Sequence, residues 1–190
     1  LQLLTPRTPV MMSFARLLFV FLLTLLVVLI GVGIFLPDSV RVSRQATIQA
    51  SAETIYSQIA DLKQFQAWSP WANLAKNVTY TYEGPASGKG ATQRWQITQG
   101  DEITTGYIEV TDAKTNQRVE MRMVFSDKQS GMMTFELEPT LQQSNNLIWT
   151  FETQFGWDLF SRYVGLFLDD MIGKNYERGL ETLKQRAESL

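Results

Sequence analysis

Three groupings of side chains in this chain have residue types and spacing that could do chemistry. Glu136 and Glu138 stand two apart, the spacing of a carboxylate pair on one strand face. Tyr107 and Glu109 share a strand face in the same way, and with Tyr80 they could pass protons to and from a reactive substrate. Asp169 and Asp170 are adjacent and could hold a cation. Against these stands what the chain lacks: there is no His and no Cys. Ser-His-Asp and Cys-His triads, zinc sites of the usual nitrogen and sulfur type, and disulfides are therefore excluded. Glu136 and Glu138 alternate with Phe135 and Leu137, so a solvated outer ladder explains them better than a buried acid pair. The Asp pair reads as a wet helix face. Asn77-Val78-Thr79 matches a glycosylation sequon by pattern only, and Gly88-Lys89-Gly90 is too short for a phosphate loop. No catalytic or metal-binding set is assigned, and no cofactor is expected.

Charge narrows the partners. The 17 Lys and Arg and 19 Asp and Glu give a net charge of −2, and no basic cluster forms. Nucleic-acid binding is not expected, because phosphate neutralisation needs concentrated cations.

The elements that must position these groups follow from periodicity. Alternation at Val40, Val42, Ala46 and Ile48 predicts a strand over 39–49. Ser51 is a good N-cap for AETIYSQIADL, with Glu53 in the first turn. A second short helical segment leads to the turn Trp68-Ser69-Pro70-Trp71. Strands are predicted over 77–83, 91–99, 102–112, 117–126, 132–139 and 147–155, each ended by turn residues, which favours an antiparallel meander. Val119, Met121, Met123 and Phe125, then Met133, Phe135 and Leu137, then Leu147, Trp149, Phe151 and Phe155 each take one face of their strand. One apolar inner face is expected. A single long helix is predicted over 158–189, capped by Asp158, with Leu159, Tyr163, Phe167, Met171, Leu180 and Leu183 on its apolar side. The order of elements predicts an α+β domain with a helix laid across one antiparallel sheet.

Ahead of this domain, Leu17 to Leu36 is twenty residues without a charge, long enough at a helical rise to cross the ~30 Å hydrocarbon core of a bilayer. Its one polar side chain, Thr24, can bond back to its own helix. A cleaved signal peptide usually has a shorter apolar region and small residues at its end, where this chain has Phe35-Leu36-Pro37, although Gly31 and Gly33 could mimic a cleavage site. The division is an N-terminal tail over 1–13, a transmembrane anchor over 14–36 and a domain over 37–190. Arg7 and Arg16 before the span, against Arg41 and Arg44 after it, orient it weakly. The reading taken is a single-pass protein whose domain faces the periplasm or the exterior.

Two stretches carry a family resemblance. Ala50 to Trp71, ASAETIYSQIADLKQFQAWSPW, and Ile172 to Glu188, IGKNYERGLETLKQRAE, resemble the START-like superfamily that includes the plant allergen Bet v 1. Within it, the chain is most similar to the bacterial polyketide cyclase/dehydrase and lipid-transport group, abbreviated SRPBCC, over residues 39–189. The resemblance implies a helix-grip: a curved antiparallel sheet wrapped around the long C-terminal helix, with a cavity of ~300 Å³ or more between them. It implies a hydrophobic small molecule or lipid as ligand. Trp95, Tyr107, Met123, Phe135, Trp149, Phe151, Tyr163 and Phe167 are the candidate ligand-binding residues, with ordinary core filling as the competing role. Trp68 and Trp71 are the leading candidates, because two Trp in a Pro-containing turn either rim a pocket or close the core. The functions carried forward are a membrane-anchored ligand-binding domain, a cyclase/dehydratase-like enzyme, and a non-catalytic interaction module of a membrane complex.

Overall fold

The structure, a computed structural model, describes residues 11–72, 77–125, 129–141 and 144–190. Residues 1–10 of the tail expected over 1–13, and parts of the turns at 127–131 and 142–146, lie outside the described residues. The chain opens with helix α1 (Met11–Phe35), followed by strand β1 (Ser39–Ile48). Two short helices come next, α2 (Ala52–Ala60) and α3 (Leu62–Trp68). Six strands follow: β2 (Val78–Glu83), β3 (Thr92–Gln99), β4 (Glu102–Lys114), β5 (Arg118–Phe125), β6 (Gln129–Pro139) and β7 (Asn145–Gln154). Helices α4 (Leu159–Gly165) and α5 (Leu168–Glu188) end the chain.

All seven strands form one antiparallel sheet in the order β1-β7-β6-β5-β4-β3-β2. The meander from β2 to β7 needs only short turns, and β1 closes the far edge against β7. The α+β helix-grip class is as the sequence implies. Local chemistry sets the helix starts. The Ser51 hydroxyl accepts the Thr54 N–H at 3.0 Å, and the Asp61 carboxylate accepts the Lys63 N–H at 2.8 Å, each satisfying an orphan donor.

One predicted element is corrected. The helix expected over 158–189 is two helices, broken at Leu166 and Phe167. Asp158 caps the first of them through the Ser161 N–H at 3.1 Å. Gly165 presses against Phe155, where an added Cβ would meet Cε2 at 2.5 Å. The chain turns there, so Tyr163 and Phe167 leave the line that α5 continues.

The core lies between the inner sheet face, α2, α3 and α5. Ile55, Ile59, Phe65, Met121, Met133, Phe135, Leu147, Trp149, Tyr176 and Leu183 are sealed from solvent. Trp149 stacks on Tyr176 with centroids 3.9 Å apart and planes 10° from parallel, and on Phe135 at 5.0 Å. The space between the sheet and α5 is thus filled by side chains. The cavity expected there is absent among the described residues, because the aromatic rings occupy it.

Candidate functional site

The open space of this fold lies to one side of the filled core. Helix α5 packs along β1 and stacks its Tyr176 on Trp149 of β7, α2 packs on β5 and β6, and the inner face toward the β2 edge lies beyond them. The turn after α3 leans over that part of the face. Between them is a narrow, partly open cleft that encloses about 70 Å³. Gln66, Ser69 and Trp71 form its helix-side wall, and Val78, Tyr80, Gln93, Trp95, Ile97, Ile108, Met123 and Phe125 form its sheet-side wall. The alternation of the strands explains the second set: 78 and 80, then 93, 95 and 97, then 108, then 123 and 125 all point inward. None of these lining residues carries a charge.

The walls are built in three ways. Trp71 separates cleft from core, its ring edge-on to Trp149 and to Tyr176 at 5.7 Å each. Its N–H donates to the Ser69 hydroxyl at 3.3 Å, which fixes the turn. Trp95 meets Phe125 edge-on at 5.4 Å. Trp95 lies across Gly106 of the neighbouring strand, where a Cβ would come within 2.3 Å of Cζ2. Only glycine lets the indole lie there. A polar corner completes the site. The Gln93 amide, 1% exposed, donates to Gln66 Oε1 and to the Tyr82 hydroxyl, both at 3.1 Å. Burial raises the pKa of Tyr80 despite a hydrogen bond with Gln66, so its hydroxyl stays protonated at neutral pH. The cleft is an apolar slot with amide and phenol groups at one side, the composition of a small-molecule site.

Of the residues singled out from sequence, Trp71, Trp95 and Met123 meet in this cleft. The others do not. Trp68 is 2% exposed and sits in the core, edge-on to Phe65, Phe135 and Trp149, with its Nε1–H on the Gln58 carbonyl at 2.8 Å. It closes the core and does not rim a pocket. Phe135 and Trp149 are buried in the same cluster. Phe151 packs over Gly131, away from the cleft. Tyr107 lies on the outer face under the Arg94 guanidinium, 5.2 Å from the ring centroid, because it alternates with the inward Ile108. Glu109 shares that outer face. Tyr163 donates to the Leu29 carbonyl of α1 at 2.6 Å, and Phe167 is 61% exposed. Gln66, Ser69, Val78, Tyr80, Gln93, Ile97, Ile108 and Phe125 are the cleft residues that the sequence reading did not assign to binding. For Gln93 the signal was present: a polar residue in register with Trp95 and Ile97.

The cleft also has a position relative to α1. One ladder of paired residues runs Val40–Thr153–Gly131–Met123–Ile108–Gln93–Tyr82 across the sheet. Phe125, Gly106, Trp95, Ile97, Tyr80 and Val78 all fall on the side of it where β1 begins. These cleft residues therefore lie toward the sheet end that α1 enters, across the sheet from β1 itself.

No curated protein matches the chain. Several solved structures share its fold. One is a protein of unknown function from Staphylococcus aureus, with a TM-score of 0.61 at 11% identity, covering 80% of this chain and 95% of its own. Major latex-like protein 151 from Panax ginseng matches with a TM-score of 0.54 at 10% identity, over 80% of this chain and 99% of its own. The Zhui aromatase/cyclase from Streptomyces sp. R1128 matches with a TM-score of 0.54 at 14% identity, over 79% and 94%. These identities establish the fold alone. Residues 39–188 match the family described as polyketide cyclase / dehydrase and lipid transport. That span takes in every strand and all of α5, and the chain belongs to this family, within the SRPBCC superfamily.

Proposed function

We propose that this chain is a membrane-anchored binding protein for a slender hydrophobic molecule with one hydrogen-bonding group. The observation that carries the reading is the uncharged cleft of Trp71, Trp95, Ile97, Ile108, Met123 and Phe125, with Gln66, Tyr80 and Gln93 at one side. The apolar walls take the body of the ligand, and the amides and phenol take a carbonyl or hydroxyl. Two lines support anchoring by α1. Its stretch Phe14–Phe35 has a mean hydropathy of 3.1 and is almost wholly uncovered by protein. Arg162 is 8% exposed, and its guanidinium donates to the carbonyls of Gly33, Ile34 and Leu36, contacts that cleavage ahead of the domain would remove. A domain over residues 37–190 is part of this reading, supported by a hydrophobic core that, among the described residues, takes none from α1. A cleft at the sheet end nearest the anchor shortens the path of an apolar ligand from bilayer to site, which matters because such ligands dissolve poorly in water. The single-pass topology with an outward-facing domain is part of the same proposal.

A second reading, a cyclase/dehydratase-like enzyme, draws on the protonated Tyr80 hydroxyl facing the cleft as a proton donor. Binding is preferred because, among the described residues, no carboxylate lines the cleft to act as its base.

The test is photolabelling of the full chain in nanodiscs with an alkyl diazirine probe bearing a terminal carbonyl. Adducts on Trp71, Met123 or Phe125 are expected alongside lipid-phase adducts on α1. Labelling confined to α1 would refute the binding site.

A further inference from the structure

Helix α4 is built inside out for a helix in water. Its one basic side chain, Arg162, is buried, while the apolar residues in and around it face outward. Trp157 is 82% exposed, Phe160 78%, Phe167 61%, Met171 59% and Leu166 55%. This patch adjoins the end of α1. Gly33 abuts Leu159 and Tyr163, with an added Cβ at 3.1 Å from Tyr163 Cε2. The Tyr163 hydroxyl donates to the Leu29 carbonyl, and Arg162 donates to the carbonyls of Gly33, Ile34 and Leu36 as well as to that of Gly156 at 2.6 Å. Arg162 thereby caps the orphan carbonyls at the C-terminus of α1. Leu29 is seven residues before Leu36, about 10 Å along a helix. Helix α4 is strapped against the last two turns of the apolar span.

We propose that α4, with the exposed apolar side chains of Trp157, Leu166, Phe167 and Met171 beside it, is a membrane-embedded foot. With α1 across the bilayer, the foot lies in the outer part of the same leaflet, with Trp157 and Phe160 at the depth where interfacial aromatics sit. The proposal rests on the reading of α1 as a membrane anchor. The occupant of the patch is the bilayer because the patch is continuous with the span. It is not an anionic surface: Asp158, Asp169 and Asp170 flank the patch, and the nearby Arg44 is engaged with Asp169 and Glu177. Insertion therefore depends on apolar and aromatic area, and zwitterionic lipid suffices. The foot fixes the domain's tilt, because Arg162 and Tyr163 hold it to the span at two heights.

The chain contains no Cys, so single nitroxide labels can be placed without background. Phe160→Cys, Phe167→Cys, Leu25→Cys and Lys89→Cys would be made in the full chain and reconstituted in phosphatidylcholine nanodiscs. Accessibility to oxygen and to a water-soluble nickel chelate would then be measured. Labels at 160 and 167 are expected to favour oxygen over the chelate, less strongly than the label at 25, while the label at 89 favours the chelate. A deep label at 25 with chelate-accessible labels at 160 and 167 would overturn the foot and leave the anchor standing. Labels at 160 and 167 shielded from both reagents would assign the patch to a protein partner, against the proposal. A chelate-accessible label at 25 would overturn anchor and foot together.

Discussion

Trp68 and Trp71 are the same residue type in one turn, yet their environments differ, and truncating each should give opposite outcomes. Trp68→Ala empties a site that is 2% exposed, removes three edge-on ring contacts and strands the Gln58 carbonyl. Burial of a large aromatic is worth about 3–5 kcal/mol on truncation. For a domain of this size that lowers the melting temperature by roughly 2–4 °C per kcal/mol, or about 6–20 °C in all. Trp68→Phe keeps ring packing and loses the hydrogen bond, at a cost of about 1 kcal/mol beyond the lost area. Trp71 is half-buried and faces the cleft, so Trp71→Ala should cost about 1–2 kcal/mol for the area lost. It should also remove the cleft wall. Near-UV circular dichroism melts on the full chain in detergent, paired with diazirine labelling in nanodiscs, read both effects. Wild-type melting of Trp68→Ala, or unchanged labelling of Met123 in Trp71→Ala, would refute this division of roles.

Further tests follow from other contacts. Gly106→Ala should displace Trp95, cost about 1–3 kcal/mol by overpacking and reduce cleft labelling; unchanged labelling would contradict the Trp95 wall. The Tyr176 hydroxyl is buried and has no hydrogen-bond partner among the described residues, and burial pushes its pKa far up. Tyr176→Phe should therefore leave stability unchanged or raise it by about 1 kcal/mol, read from the same melts. The hydrogen bond from Arg44 holds Asp169 below the usual carboxylate range, so its contribution is complete above that range and fades as pH falls through the depressed value. Asp169→Asn should flatten the acid limb of the melting temperature against pH, and an unaltered limb would remove this ion pair from the account.

Much of this architecture was legible in the residues, for a physical reason. A period of two survives wherever one strand face is dry, so the inner faces of β5, β6 and β7 could be read directly from Val119 to Phe151. The break between α4 and α5 was hidden because Leu159, Tyr163, Phe167 and Met171 keep a spacing of four across it. Only Gly165, which must fit against Phe155, marked the turn. The site was harder. Whether an inward aromatic fills the core or walls a cleft depends on how far α5 reaches across the sheet, a tertiary fact with no local pattern. Thus Trp149 and Trp95 looked alike, and so did Trp68 and Trp71. Arg162 gave no signal at all, since its acceptors besides Gly156 are carbonyls more than a hundred residues earlier.

The central claim is that the cleft beside the filled core holds an apolar molecule. Its most direct test is native mass spectrometry of the full chain extracted from membranes in mild detergent, with two variants alongside. Val78→Trp fills the cleft from its rim, and Tyr107→Ala alters only the outer face. A stoichiometric small-molecule adduct should be present on the wild type and on Tyr107→Ala, and lost from Val78→Trp. A wild type with no adduct, or an adduct that persists on Val78→Trp, would contradict the account.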